Sequence, residues 1–169
     1  MISFVLQTLS YKFLIPSKLC RSLRNDVNAV IERARQSKLV GSSQETQVYL
    51  FAEDSFIKNC LLQLRGDEDF LSTSCSTNEV DDLRFILLVS KVTIVDTSHE
   101  IFRCCPDFNL LGTSESGVHI GVKHAAGKKC ERCWYFSETV EEKSCETDFD
   151  RSFYDVCPRC EDVLSRIAE

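Results

Sequence analysis

The sequence is sparing with the residues that interrupt regular structure. Its 169 residues include three prolines and six glycines, which excludes collagen-like and Gly/Pro-rich disordered architectures. It has no long hydrophobic run: the most apolar stretches, such as Phe85 to Val89, fall far short of the ~20 residues that span a bilayer. It also lacks an excess of positive charge. With 20 Lys+Arg against 26 Asp+Glu the formal net charge is -6, so the surface as a whole does not grip a polyanion. A nucleic-acid contact would need a local basic patch. There is no internal repeat and no low-complexity tract. What remains is 43% hydrophobic and 27% charged, the composition of a globular chain with room for one domain or a small domain plus an appendage.

Cysteine is where the sequence is generous. Ten cysteines make up about 6% of the chain, below the density of a disulfide scaffold. Most stand singly on apolar stretches, as buried free thiols do, which points to a reducing compartment. The vicinal pair Cys104 and Cys105 reads as apolar filler. Four others form a pattern: Cys130-x-x-Cys133, an interval of 23 residues, and Cys157-x-x-Cys160. Two such knuckles supply four thiolates, the closed tetrahedral shell of a structural zinc site. A redox C-x-x-C does not account for two matched pairs, and four protein ligands leave no open position for chemistry at the metal. Cys145 lies between the pairs and reads as a spectator. The interval from Trp134 to Val156 is polar and acidic, so metal binding and folding should be one event there. Lys128, Lys129, Arg132 and Arg159 are expected to surround the sulfurs and favour the thiolate form.

The rest of the chain orders itself by pattern. Met1 to Asn25 has no acidic residue and carries Lys12, Lys18, Arg21 and Arg24. Such a start resembles a mitochondrial transit peptide; the alternative is a plain helical segment broken at Pro16. Leu23 to Leu39 reads as an amphipathic helix ended by Gly41. Gln47 to Ala52 reads as a strand. Asp54 is a good N-cap for a helix through Leu64, with Phe56, Cys60, Leu61 and Leu64 on one side. Residues 66–69 read as an acidic turn and 72–80 as a loop. Phe85 to Val95 gives the strongest strand signal, Phe108 to Gly117 reads as a loop, and Gly117 to His124 as a strand with Val118, Ile120 and Val122 on one face. Pro158 to Ala168 closes the chain as a helix. The reading is α+β: a small helix/strand domain, then a four-cysteine zinc-finger module, with the boundary near Ala125–Gly127.

Beside the cysteines lies a basic and aromatic group. Lys123, Lys128, Lys129 and Arg132 face one carboxylate, Glu131, and Trp134, Tyr135 and Phe136 follow directly. Rings beside cations suit unpaired RNA bases, which stack while phosphates meet Lys and Arg. The competing reading packs Trp134 and Phe136 into the module's own small core. His124 is expected at the surface, since four thiolates already close a shell. The acidic run Glu138 to Glu146 reads as a solvated loop.

These residues carry a resemblance. The stretch 129–134 (KCERCW) with 157–160 (CPRC) resembles the C-terminal zinc module of bacterial-type isoleucyl-tRNA synthetases, the type also used in mitochondria. Residues 23–35 (LRNDVNAVIERAR), continuing through 39–43 (LVGSS), resemble the last helix of that family's anticodon-binding bundle. Residues 83–90 (LRFILLVS) resemble a strand of the small domain before the zinc. The resemblance covers about 21–169. It implies an atypical segment at 1–20, a remnant of the anticodon-binding bundle at 21–43, a small α+β domain at 44–126 and a zinc-binding, tRNA-contacting module at 127–169.

The family charges tRNA with isoleucine using ATP, through His-Ile-Gly-His and Lys-Met-Ser-Lys-Ser motifs that this chain lacks; residues 119–122 (HIGV) match the first in letters only. No aminoacylation is expected of this chain alone, and it reads as a fragment or alternative product with a foreign start. By the resemblance, Cys130, Cys133, Cys157 and Cys160 hold one structural zinc, and Lys128, Lys129, Arg132, Trp134 and Arg159 contact isoleucine-accepting tRNA. The chain would act as a monomer without membrane contact, in the mitochondrial matrix or else the cytoplasm. The alternative is a zinc-dependent protein-interaction or regulatory fragment. A formamidopyrimidine-DNA glycosylase, which carries a similar finger, is disfavoured because the chain begins Met1-Ile2-Ser3 and so lacks the proline nucleophile.

Overall fold

The computed structural model describes residues 2–65, 82–107, 110–140 and 155–167, with side chains described from Lys18 onward, Asp82 excepted. Expectations for 66–69, 72–80, Phe108, Cys75, Cys145 and the acidic run beyond Val140 lie outside these residues.

Element order is α1 (Ile2–Gln36), β1 (Thr46–Ala52), α2 (Ser55–Arg65), α3 (Asp82–Leu87), β2 (Lys91–Ile94), α4 (Ser98–Cys104), β3 (Leu111–Thr113), β4 (Val118–His124), β5 (Lys128–Lys129), β6 (Phe136–Ser137) and α5 (Pro158–Ile167). The α+β reading holds. Four strands form a mixed sheet in the order β2-β1-β4-β3. β1 runs parallel to β2 and antiparallel to β4, with Val48 opposite both Val92 and Val122.

One face of the sheet builds the main core. Val48, Leu50, Val118, Ile120 and Val122 alternate onto it and meet Leu23, Val27, Val30 and Ile31 of α1, Leu61 of α2, and Leu83 and Leu87 of α3. The three- and four-residue spacing along α1 puts its apolar stripe on this face, as the sequence predicts. Asp54 Oδ1 accepts from the Phe56 and Ile57 amides at 2.7 and 3.2 Å, the expected N-cap of α2. α2 turns Ile57, Leu61 and Leu64 inward rather than Phe56, which is 57% exposed. The opposite face is covered by α4, whose Ile101 packs with Cys105, Tyr49 and Val95. Gly121 lies under this helix. A Cβ there would come within 2.6 Å of Ile101 Cγ2, so glycine is what lets α4 close onto β4.

Four expectations are corrected. The helix does not break at Pro16: α1 runs through it, because an internal proline removes one hydrogen bond and bends a helix without having to end it. It stops at Gln36 rather than Leu39, and Gly41 is not its cap. Lys38 takes the left-handed conformation (φ 58°), with its amide on Arg35 O at 2.9 Å and the Leu39 amide on Ala34 O at 3.0 Å, a Schellman closure without glycine. Phe85 to Val95 is not one strand. Leu83 and Leu87, four residues apart, enter the core from helix α3; Leu88 at φ 57° ends it, and only Lys91–Ile94 is extended. A short apolar run suits a buried helix turn as well as a strand, and periodicity cannot separate them. The stretch read as a loop contains β3, and α4 went unread although Thr97 is its N-cap, with the Glu100 amide 3.4 Å from Thr97 Oγ1.

Candidate metal centre

The first knuckle sits on a two-stranded ribbon. β5 and β6 pair Lys128 with Ser137 and Lys129 with Phe136. Gly127 leads into it at φ 86°, and a side chain there would strike the Ser137 backbone at 2.2 Å. Between the strands the chain folds tightly: the Trp134 amide donates to Cys130 O and the Cys130 amide to Tyr135 O, both at 2.9 Å. The second knuckle opens α5. Cys157 O accepts from Cys160 and Glu161 at 2.8 and 3.0 Å, and Pro158 occupies the first helical position, where its missing N–H costs nothing. The Glu131 amide bonds Asp155 O at 3.0 Å and the Cys157 amide points at Cys130 Sγ at 3.3 Å, joining the knuckles.

This brings the sulfurs of Cys130, Cys133, Cys157 and Cys160 within 4.8 Å of one another. Cys133 and Cys157 sulfurs are 3.8 Å apart. A tetrahedron with metal–sulfur arms of ~2.3 Å has edges of about 3.8 Å, so the donor set and its spacing fit a zinc-like ion. Cys130, Cys157 and Cys160 are buried, and Val140 and Val156 are their apolar company. Contact with the Cys157 sulfur, followed by burial, pushes the Cys133 thiol up to about 12, and burial raises Cys160. Cys133 and Cys160 thus resist ionisation in this cluster, and a divalent cation would offset that cost. His124 stands apart from them, with Nδ1 2.8 Å from Ala125 O and its ring edge-on to Phe136.

Of the four basic residues expected around the sulfurs, Arg132 meets one, while Lys129 and Arg159 lie over aromatic rings. Arg132 is the one seen at a sulfur, with Nη1 donating to Cys160 Sγ at 3.5 Å. Lys129 Nζ sits 5.1 Å over the Trp134 ring, and Arg159 lies over Phe85 at 5.2 Å. Lys128 is exposed on β5. Long cationic side chains gain more from ring faces and water than from crowding a thiol cluster. Trp134 does not fill the small core either. It is 58% exposed and holds a left-handed backbone at φ 67°, a conformation costing a non-glycine residue roughly 1–2 kcal/mol. Tyr135, by contrast, is buried.

The residues that seat the module on the sheet layer were not singled out from the sequence. The Phe136 amide donates to Ser90 Oγ at 2.7 Å, and the Ser90 amide to Thr46 O at 2.9 Å. Arg84, 2% exposed, places its guanidinium 4.9 Å from the Phe85 ring centre and 5.3 Å from that of Tyr135. Only the strand register, which brings Ser90 beside Thr46 and His124, could have exposed this role.

No family model matches the chain. Among curated proteins it is 36% identical over 144 residues to the isoleucine–tRNA ligase of Thermosynechococcus vestitus and 35% identical over 145 residues to that of Rippkaea orientalis. In each case 85% of this chain is covered and 13% of the relative. The isoleucine–tRNA ligase of Shewanella woodyi is 37% identical over 119 residues, 70% of this chain and 10% of the relative. The chain therefore spans about 13% of the length of the relatives it matches over most of its own. Among the described residues no helix is long and apolar enough to cross a membrane.

Proposed function

We propose, from the premise that this chain is related in sequence over most of its length to one segment of the isoleucine–tRNA ligases, that it is a zinc-built module that contacts tRNA. Zinc held by Cys130, Cys133, Cys157 and Cys160 would balance the thiolate charge and fix the two knuckles against each other. The observation that carries the reading is the pair on the rim: Trp134, exposed on a left-handed turn, with Lys129 over its ring. A ring held outward at a conformational cost suits an unpaired base, and the adjacent cation suits its phosphate. Arg132 and Lys128 flank this pair and Arg159 lies across the second knuckle; all three are assigned to phosphates. On this reading 21–43 and 44–126 correspond to the end of an anticodon-binding bundle and a small connecting domain, and the chain works as a monomer.

The mitochondrial matrix is the destination the reading favours, supported by the acid-free, basic stretch 1–25. Leu19 and Leu23 are buried, so removal of a leader would have to fall before them.

The experiment is a titration of the zinc-loaded chain with isoleucine-accepting tRNA and an unrelated tRNA over a salt series, with Trp134→Ala beside the parent. Binding that weakens with salt and falls about 5- to 100-fold on Trp134→Ala supports the proposal. A folded, zinc-bearing chain that binds neither tRNA near physiological salt overturns it, and leaves the protein-interaction reading.

A further inference from the structure

The sheet presents its second face unevenly. On β1, β2 and β4 the residues alternating with the main core point to the side that α4 covers. α4 seats against Tyr49 and Gly121, away from the end of the sheet where the metal module docks. At that end the register places Lys91, Gln47 and Lys123 side by side across three strands, with Gln47 opposite both lysines. The next row toward the module is Ser90, Thr46 and His124, and it is this row that holds β6: Ser90 Oγ receives the Phe136 amide, and the His124 ring meets Phe136 edge-on at 5.1 Å. The two lysines are thus one residue along their strands from the docked module.

We propose that this row, Lys91 and Lys123 flanking Gln47 on the α4 side of the sheet, is a second contact for RNA phosphates, separate from the basic rim of the metal module. The proposal rests on the tRNA reading above and adds to it a contact on the sheet.

Three features support it. Lys91 is exposed and Lys123 half-exposed, and neither forms an ion pair among the described residues, in a chain whose net charge is -6. Lys123 is held in place: its Nζ lies 5.1 Å over the Tyr49 ring, and the Tyr49 hydroxyl keeps the ammonium charged. Gln47 is 7% exposed and its Nε2 donates to Thr93 Oγ1 at 3.2 Å, so it acts as a recessed polar spacer rather than a base reader. Two strand spacings set the lysine backbones about 10 Å apart. Two point charges at a fixed separation, with only a nearly buried amide between them, suit a phosphate backbone and predict contact without sequence preference.

The test uses the zinc-loaded full chain, the same two tRNAs and a salt series, with the double variants K91Q/K123Q and K91R/K123R. The glutamine pair should weaken both tRNAs alike and make the slope of log affinity against log salt shallower by about 2, roughly one per lysine, while the arginine pair restores it. A glutamine pair with the parent's affinity and slope, in a chain where Trp134→Ala does weaken binding, overturns the sheet contact and leaves the module contact standing. A parent chain that binds neither tRNA overturns the tRNA reading, and this extension with it.

Discussion

The sheet layer and the metal module sit against each other and hold together by different means. In the sheet layer Leu23, Ile31, Val48, Leu50, Leu83 and Ile120 are fully or almost fully buried, and the strands pair over up to seven residues. In the module the strands are two residues long, and the cluster around the sulfurs is three buried cysteines and Val140. Burial at about 25 cal/mol per Å2 of apolar area can account for the first. It cannot account for the second, where four thiols are gathered with little apolar company. The lesson is that the rim proposed to contact tRNA lies on the part of the chain least able to hold its own shape, so a metal that folds it would also control it.

Metal removal should break the comparison most visibly. Chelation, or Cys157→Ser, should unfold residues 128–140 and 155–167 while leaving the sheet intact, a local loss on the order of 10 kcal/mol. Amide hydrogen exchange checks this: protection should vanish in β5, β6 and α5 and persist in β1 and β4. The converse is Leu50→Ala. It should cost about 2–5 kcal/mol in denaturant unfolding of the sheet layer, because it empties the centre of the main core, and zinc affinity measured below that transition should hold.

Ser90→Ala sharpens the comparison at the seam. It leaves the Phe136 amide without its partner, and about 1–3 kcal/mol of coupling should be lost. The readout is the gap between the two unfolding transitions, which should widen. The smallest effect is a pH dependence confined to the sheet side. The Gly41 amide, 2.7 Å from Glu45 Oε2, holds that carboxyl below the ordinary glutamate range. A lowered folded value means the stabilisation is present at neutral pH and fades as pH falls through about 4.3 and then the folded value. The stability difference between the parent and Glu45→Gln should shrink over that window.

Legibility in the sequence followed the same division. The knuckles were legible because C-x2-C spacing is a covalent fact of the chain, and the structure brings those four sulfurs together. The strands around Val48 and Val118 were legible because one face is buried and alternation follows. Phe85 to Val95 was misread because its first five residues are all apolar, and such a run carries no period. The outward turn of Trp134 could not be read, since an aromatic ring after a knuckle packs inward or outward with equal ease on composition alone. The seam at Ser90 and the lysine row depend on strand register, which no local pattern states.

The proposed tRNA contact at the rim of the module, Trp134 with Lys129, should exist only while metal holds the two knuckles together. The direct measurement is tRNA affinity of the zinc-loaded chain against the same chain after chelation, with amide exchange in β1 and β4 followed in both. Binding should fall at least tenfold on chelation while the sheet stays protected, and return when zinc is restored. Equal affinity with and without metal, on an intact sheet, would contradict it.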